Sequence, residues 1–150
     1  MYGSDASSNF LDKARKAQIY LEVFLHWFGT GVENFPAAHK DCYDLVTASG
    51  CFQKGHIEKN GLNDVYAALK VGGYFAIGWR TYRIQPGAET GFYEKLEEME
   101  KAGLIKKVNQ IDFMRGLTGK TLDEEIKTEF EQGLKRFEQQ SSTISVYQKL

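Results

Sequence analysis

Residues 43–80 read YDLVTASGCFQKGHIEKNGLNDVYAALKVGGYFAIGWR, and the parsing of this stretch decides the fold. Residues 43–49 form a compact apolar run behind one acid, the pattern of a strand buried on both faces of a parallel sheet. Leu62, Val65, Tyr66 and Leu69 then fall on one helical face over residues 61–70. The pair Gly72–Gly73 stands where a left-handed cap would end that helix. A second apolar run, residues 74–80, reads as the next strand. Strand, helix and strand in this order make a crossover unit, which is what two parallel strands of one sheet require.

Upstream, MYGSD gives a very short extended segment ending at Asp5. The following SSNFLDKARKAQ sets Phe10, Leu11, Ala14 and Ala17 on one side at helical spacing, with Ser7 or Ser8 as N-cap and Asp12 favouring the first turn. Residues 20–29, YLEVFLHWFG, are rich in β-branched and aromatic side chains and stop at Gly29 and Gly31, so they read as a strand. Pro36 biases Phe35 away from helical angles, and residues 32–42 read as a loop. Downstream, residues 88–102 space Phe92, Leu96 and Met99 as a helix stopped by Gly103. A strand at 105–114, a charged helical segment at 122–138 and a closing strand at 142–149 complete the chain. The pattern predicts one α/β domain over residues 1–150, a three-layer sandwich whose mostly parallel sheet ends in an antiparallel edge pair.

Lysine and arginine total 19 against 20 acids, spread along the chain without a basic stripe, so nucleic acid is not an expected partner. No window approaches the ~18 consecutive apolar residues of a membrane span, and the first residues lack the two parts of a signal peptide. The expectation is a soluble, cytoplasmic protein. Cys42 and Cys51 lack CxxC spacing and form no ligand pattern with His26, His39 and His56, so no metal is expected and both thiols read as reduced packing residues. No nucleophile elbow, P-loop or HExxH motif supports a hydrolase or triphosphatase.

In an open parallel sheet, ligands bind at the carboxyl ends of the strands. After the first strand lies Asp5, whose two acceptor oxygens suit ribose hydroxyls, although an acid there equally caps the following helix. After the second come Gly29, Thr30 and Gly31, which let backbone approach a flat ring or simply make a turn. After the third come Ser49, Gly50 and then His56, a loop histidine able to steer or deprotonate a substrate and the one candidate catalytic group. Tyr82, Phe92 and Tyr93 follow the strand at 74–80, as a substrate lid or as core.

The ordered set YGSDASSNFLDKA, YDLVTASGCFQKGHI and LNDVYAALKVGGYFAIGWR resembles the class I S-adenosylmethionine-dependent methyltransferases, nearest to the methyltransferase-like proteins of the Williams-Beuren syndrome region. LKVGGYF is similar to that family's entry into its fifth strand, with Val71 in place of the usual proline. The resemblance implies a Rossmann-like fold with S-adenosylmethionine as cofactor. It makes Asp5 the ribose acid, Ala6 the small residue beside adenine, Gly29, Thr30 and Gly31 the adenine-edge loop, and Ser49 and Gly50 the strand end facing the sulfonium.

The family begins with a strand and a glycine-rich D-x-G-x-G-x-G loop that cradle the methionine half of the cofactor, and no such loop occurs in this sequence. The chain therefore reads as a partial domain lacking the first βα unit. That strand would lie between the strands ending at Asp5 and Ser49, so these either pair with each other or leave a gap for a partner chain or a second copy. Two functions follow: a methyltransferase acting on an unknown small-molecule or protein acceptor, or an inactive remnant serving as an accessory interaction module.

Overall fold

The computed structural model describes residues 1–114 and 141–150; the expected helical segment at 122–138 lies outside the described residues. Six strands, β1 (Tyr2–Asp5), β2 (Glu22–Leu25), β3 (Tyr43–Ser49), β4 (Leu69–Arg80), β5 (Ile105–Met114) and β6 (Ser141–Lys149), alternate with α1 (Ser8–Ala17), α2 (Gly61–Ala68) and α3 (Phe92–Lys101). Residues 32–34, 37–39 and 81–84 form short 3-10 turns, so the loop expected at 32–42 contains two of them.

Strands β1 and β2 pair in parallel, and β3 and β4 pair in parallel. Strand β6 then joins β4 and β5 by antiparallel ladders, giving the order β3-β4-β6-β5 beside a separate β1-β2 pair. The mixed Rossmann-like sheet with its antiparallel edge is as the sequence predicts. Strands β1 and β3 do not pair with each other, which removes one of the two outcomes the sequence left open.

Helices α2 and α3 cover one face of the larger sheet, where Leu62, Val65, Phe75, Ile77, Trp79, Phe92, Leu96 and Met99 share a core. The opposite face is open among the described residues: Leu45 is 57% exposed, and Ile111 and Phe113 are exposed too. This corrects the expectation that residues 43–49 are buried on both faces. Among the described residues strand β3 has one ladder partner, and Val46 and Ala48 turn toward the helices.

The glycine pair does not cap α2. The helix ends at Ala68, with Leu69 already extended and opening β4. Its last carbonyls accept hydrogen bonds from outside: Asp41 N–H donates to Ala67 O at 2.8 Å, Cys42 N–H to Ala68 O at 3.0 Å, and Lys149 Nζ to Leu69 O at 2.7 Å. A helix end satisfied in this way needs no left-handed residue. Gly72, at φ +82°, serves instead the register break at which β4 bulges between its pairings with Tyr43 and Leu45.

Helix α1 is capped by Ser7, whose Oγ accepts from Phe10 N–H at 3.5 Å, and it buries only Leu11 of its expected stripe. Asp12 lies beyond the first turn and pairs with Arg15 at 2.8 Å. Helix α3 starts after Gly91 and stops at Gly103, where Leu104 N–H reaches back to Met99 O at 3.0 Å. Cys51 packs against the core as expected, whereas Cys42 is exposed.

Candidate functional site

The expected residues follow the carboxyl ends of β1, β2 and β3. Asp5 closes β1, and its Oδ1 accepts Ser7 N–H at 2.7 Å. That bond organises the entry to α1, as the capping reading required. Ala6 beside it is half-buried, and Ser49 and Gly50 are exposed at the end of β3. Gly50, at φ +73°, faces open space: a Cβ built there meets nothing within 4 Å.

Asp5 and the β3 end share one electrostatic neighbourhood. Burial pushes the Cys51 thiol up, and the nearby Asp5 carboxylate adds to that shift. An acid thus ends β1, and an open serine–glycine turn follows β3.

The loop at residues 26–31 is pinned from below. Asp64 on α2 is fully buried, and its Oδ2 accepts Gly29 N–H at 2.6 Å while the His26 Nε2 lies 3.3 Å away. Thr30 Oγ1 donates to Trp27 O at 2.9 Å, closing the turn on itself. Sequence reasoning missed His26 and Asp64. Asp64 falls on the side of α2 away from Leu62, Val65 and Tyr66, where helical spacing predicts a solvated acid, so its burial carried no signal in the sequence.

His56 is exposed in the turn after β3, where its backbone N–H donates to Gln53 O at 3.0 Å. No described side chain hydrogen-bonds its ring. Tyr82 and Phe92 border a cleft beyond the ends of β3 and β4, with Phe92 buried and Tyr82 42% exposed. Tyr93 faces its own helix, donating from its hydroxyl to Glu97 at 2.9 Å.

No protein-family model matches this sequence, and no curated protein matches it. Solved structures do match. A TehB-like S-adenosylmethionine-dependent methyltransferase from Corynebacterium glutamicum aligns at TM-score 0.59 and 15% identity, over 99% of this chain and 67% of its own. The N-methyltransferase NodS from Bradyrhizobium japonicum, in complex with S-adenosyl-L-homocysteine, aligns at TM-score 0.55 and 13% identity, over 99% and 65%. A methyltransferase from Mesorhizobium loti aligns at TM-score 0.58 and 15% identity, over 98% and 79%. The fold is a methyltransferase fold. This chain spans about two thirds of the length of the first two.

The residues present fit the adenosine side of S-adenosylmethionine. Only one oxygen of Asp5 has a described hydrogen-bond donor, so the other is available to a ribose hydroxyl, and the Gly50 turn leaves room for a close approach. For the methionine side this sequence offers no glycine-rich turn. Among the described residues no helix is long and apolar enough to cross a membrane.

Proposed function

We propose that this chain is an S-adenosylmethionine-dependent methyltransferase domain whose Asp5 binds the cofactor's ribose. On this reading Ala6 and the Gly29–Gly31 loop flank the adenine, and Ser49 and Gly50 face the sulfonium. When bound, the cofactor supplies an electrophilic methyl group to a small-molecule or protein acceptor. The chain's own part is to orient: positioning donor and acceptor in line contributes much of the rate in such transfers. The observation that carries the reading is the mixed sheet β3-β4-β6-β5 together with the parallel pair β1-β2, with Asp5 and Ser49–Gly50 at the carboxyl ends of their strands. The cytoplasm is the compartment this reading places it in.

A second reading rests on the edges of β1 and β3 that pair with no described strand. Both strands offer a parallel edge, so a strand from a partner chain or a second copy would gain ladder bonds on both sides. The chain would then act as an interaction module, or as a methyltransferase completed by its partner.

Calorimetric titration with S-adenosylhomocysteine separates the two. The parent should bind at micromolar affinity, near -8 kcal/mol. Asp5→Ala should bind about ten- to a hundredfold more weakly, through loss of charge-assisted hydrogen bonds of ~1.5–3 kcal/mol. Equal affinity in the variant refutes the role of Asp5. A folded chain that binds nothing supports the module.

A further inference from the structure

Beyond the carboxyl ends of β3 and β4 lies a cleft of about 510 Å³ between the loop carrying Lys54, Glu58 and Lys59 and the segment from Tyr82 to Phe92. That size suits a small molecule. Its charges are unevenly matched.

Lys54 is neutralised: its ammonium lies 2.6 Å from Glu89, and the same ammonium feels Glu58. Glu89 is thereby committed to Lys54. Arg83 is held but not neutralised. Its Nη1 donates to Gln53 Oε1 at 2.6 Å, its Nε donates to Tyr82 Oη at 3.1 Å, and its guanidinium lies 5.3 Å from the Tyr82 ring centre. All these partners are uncharged, and no described carboxylate forms an ion pair with Arg83. A guanidinium fixed in this way keeps spare donors for a planar anion.

Lys59 is placed against electrostatic preference. A Cβ on Gly91 would lie 3.4 Å from Lys59 Nζ, so the ammonium sits at the N-terminus of α3. Cations are favoured at helix C-termini, not at the positive N-terminal end. Gly91 supplies no capping side chain, and the first-turn acid, Glu94, accepts Gly87 N–H at 2.8 Å. Glu94 is held below the usual carboxylate range chiefly by backbone donors, with Lys59 the smallest contributor. An arginine, a lysine and a helix N-terminus thus border one cleft without an ionic partner for the arginine.

We infer that this cleft binds the carboxylate of a small acidic molecule, with Arg83 and Lys59 as its anchors. The exposed part of the Tyr82 ring offers a surface for the flat or apolar remainder. Assigning this acid as the methyl acceptor rests on the methyltransferase reading; the binding of the acid does not.

The test uses 4-hydroxybenzoate and its neutral counterpart 4-hydroxybenzamide, titrated into the ¹⁵N-labelled chain without cofactor. The benzoate should shift the Arg83 Nε–H signal and the backbone amides of residues 87–92. The benzamide should bind about tenfold more weakly or worse, as loss of one charge-assisted contact implies. Arg83→Gln and Lys59→Met should each weaken the benzoate severalfold and leave the benzamide unchanged; Lys59→Met carries the test if Arg83→Gln fails to fold. Equal binding of acid and amide, unchanged acid affinity in the variants, or no binding by the folded parent overturns the inference. A chain that binds the benzoate but not S-adenosylhomocysteine refutes the cofactor reading alone, and the reverse refutes the cleft alone.

Discussion

Replacing Asp64 tests whether the loop at 26–31 is held in place by a buried side-chain acceptor. Its side chain is fully buried and accepts Gly29 N–H at 2.6 Å, with His26 Nε2 at 3.3 Å. Removing its side chain leaves Gly29 N–H and His26 Nε2 without this partner, at ~1–3 kcal/mol for each buried polar group left unpaired. Against that, Asp64 Oδ1 has no hydrogen-bond partner among the described residues. An orphaned buried acceptor already costs the parent ~1–3 kcal/mol, which Asp64→Ala removes. The difference leaves a net loss of ~2 kcal/mol for Asp64→Ala, or a Tm lower by roughly 4–8 °C for a domain of this size. Asp64→Asn keeps an oxygen for Gly29 N–H and should lose about half as much. Urea unfolding with an unchanged m-value reads the stability, and hydrogen exchange at the Gly29 amide reads the loop. If Asp64→Ala unfolds within ~0.5 kcal/mol of the parent, the ordinary range for surface substitutions, and Gly29 stays equally protected, the carboxylate does not anchor the loop.

Lys149 should be as consequential at the other end of the sheet. Its buried ammonium donates to Asp41 Oδ1 at 2.7 Å, Leu69 O at 2.7 Å and Tyr66 O at 3.1 Å, so Lys149→Met should lose about 3 kcal/mol in urea unfolding. Asp41→Asn should lose less than ~1 kcal/mol, because the Asp41 side chain is 69% exposed and water replaces the lost charge. Tyr147 links stability to alkaline pH: burial first, then the Glu100 and Tyr93 charges, push its phenol above the ordinary value of 10.0. Its contribution is complete below that value and fades as pH rises past it, because the unfolded phenol ionises first. Relative to Tyr147→Phe, the parent should therefore lose up to ~1.4 kcal/mol per pH unit above about pH 10; parallel pH profiles would refute this.

Local patterning made the elements legible. The apolar run at 43–49, the spacing of Leu62, Val65 and Tyr66, and the turn at Gly103 all appear where periodicity places them. The end of α2 was misread because its carbonyls are satisfied by Asp41, Cys42 and Lys149, groups close to the helix end in space and distant from it in sequence. The exposure of Leu45 was equally hidden, since an apolar run specifies a strand and not how many neighbours it has. Asp5, Ser49 and Gly50 could be placed from strand ends alone. The Asp64 anchor and the Arg83–Lys59 cleft could not, because each depends on contacts between elements.

The break in ladder pairing between β1 and β3 also divides the molecule by stability. None of the described backbone hydrogen bonds joins residues 1–25 to the larger sheet. The two parts meet instead through ring contacts of Tyr2 with Tyr43 and of Phe24 with Phe35 and His39, and through Glu22 and His39 at 3.8 Å. The β1-α1-β2 segment can therefore open as one cooperative unit while the four-stranded sheet stays intact, at a free energy below that of global unfolding. Asp5 rides on the unit that opens, and Arg83 belongs to the part that stays. A ligand touching both would be felt first as slower amide exchange across residues 2–25, far from most of the atoms that hold it.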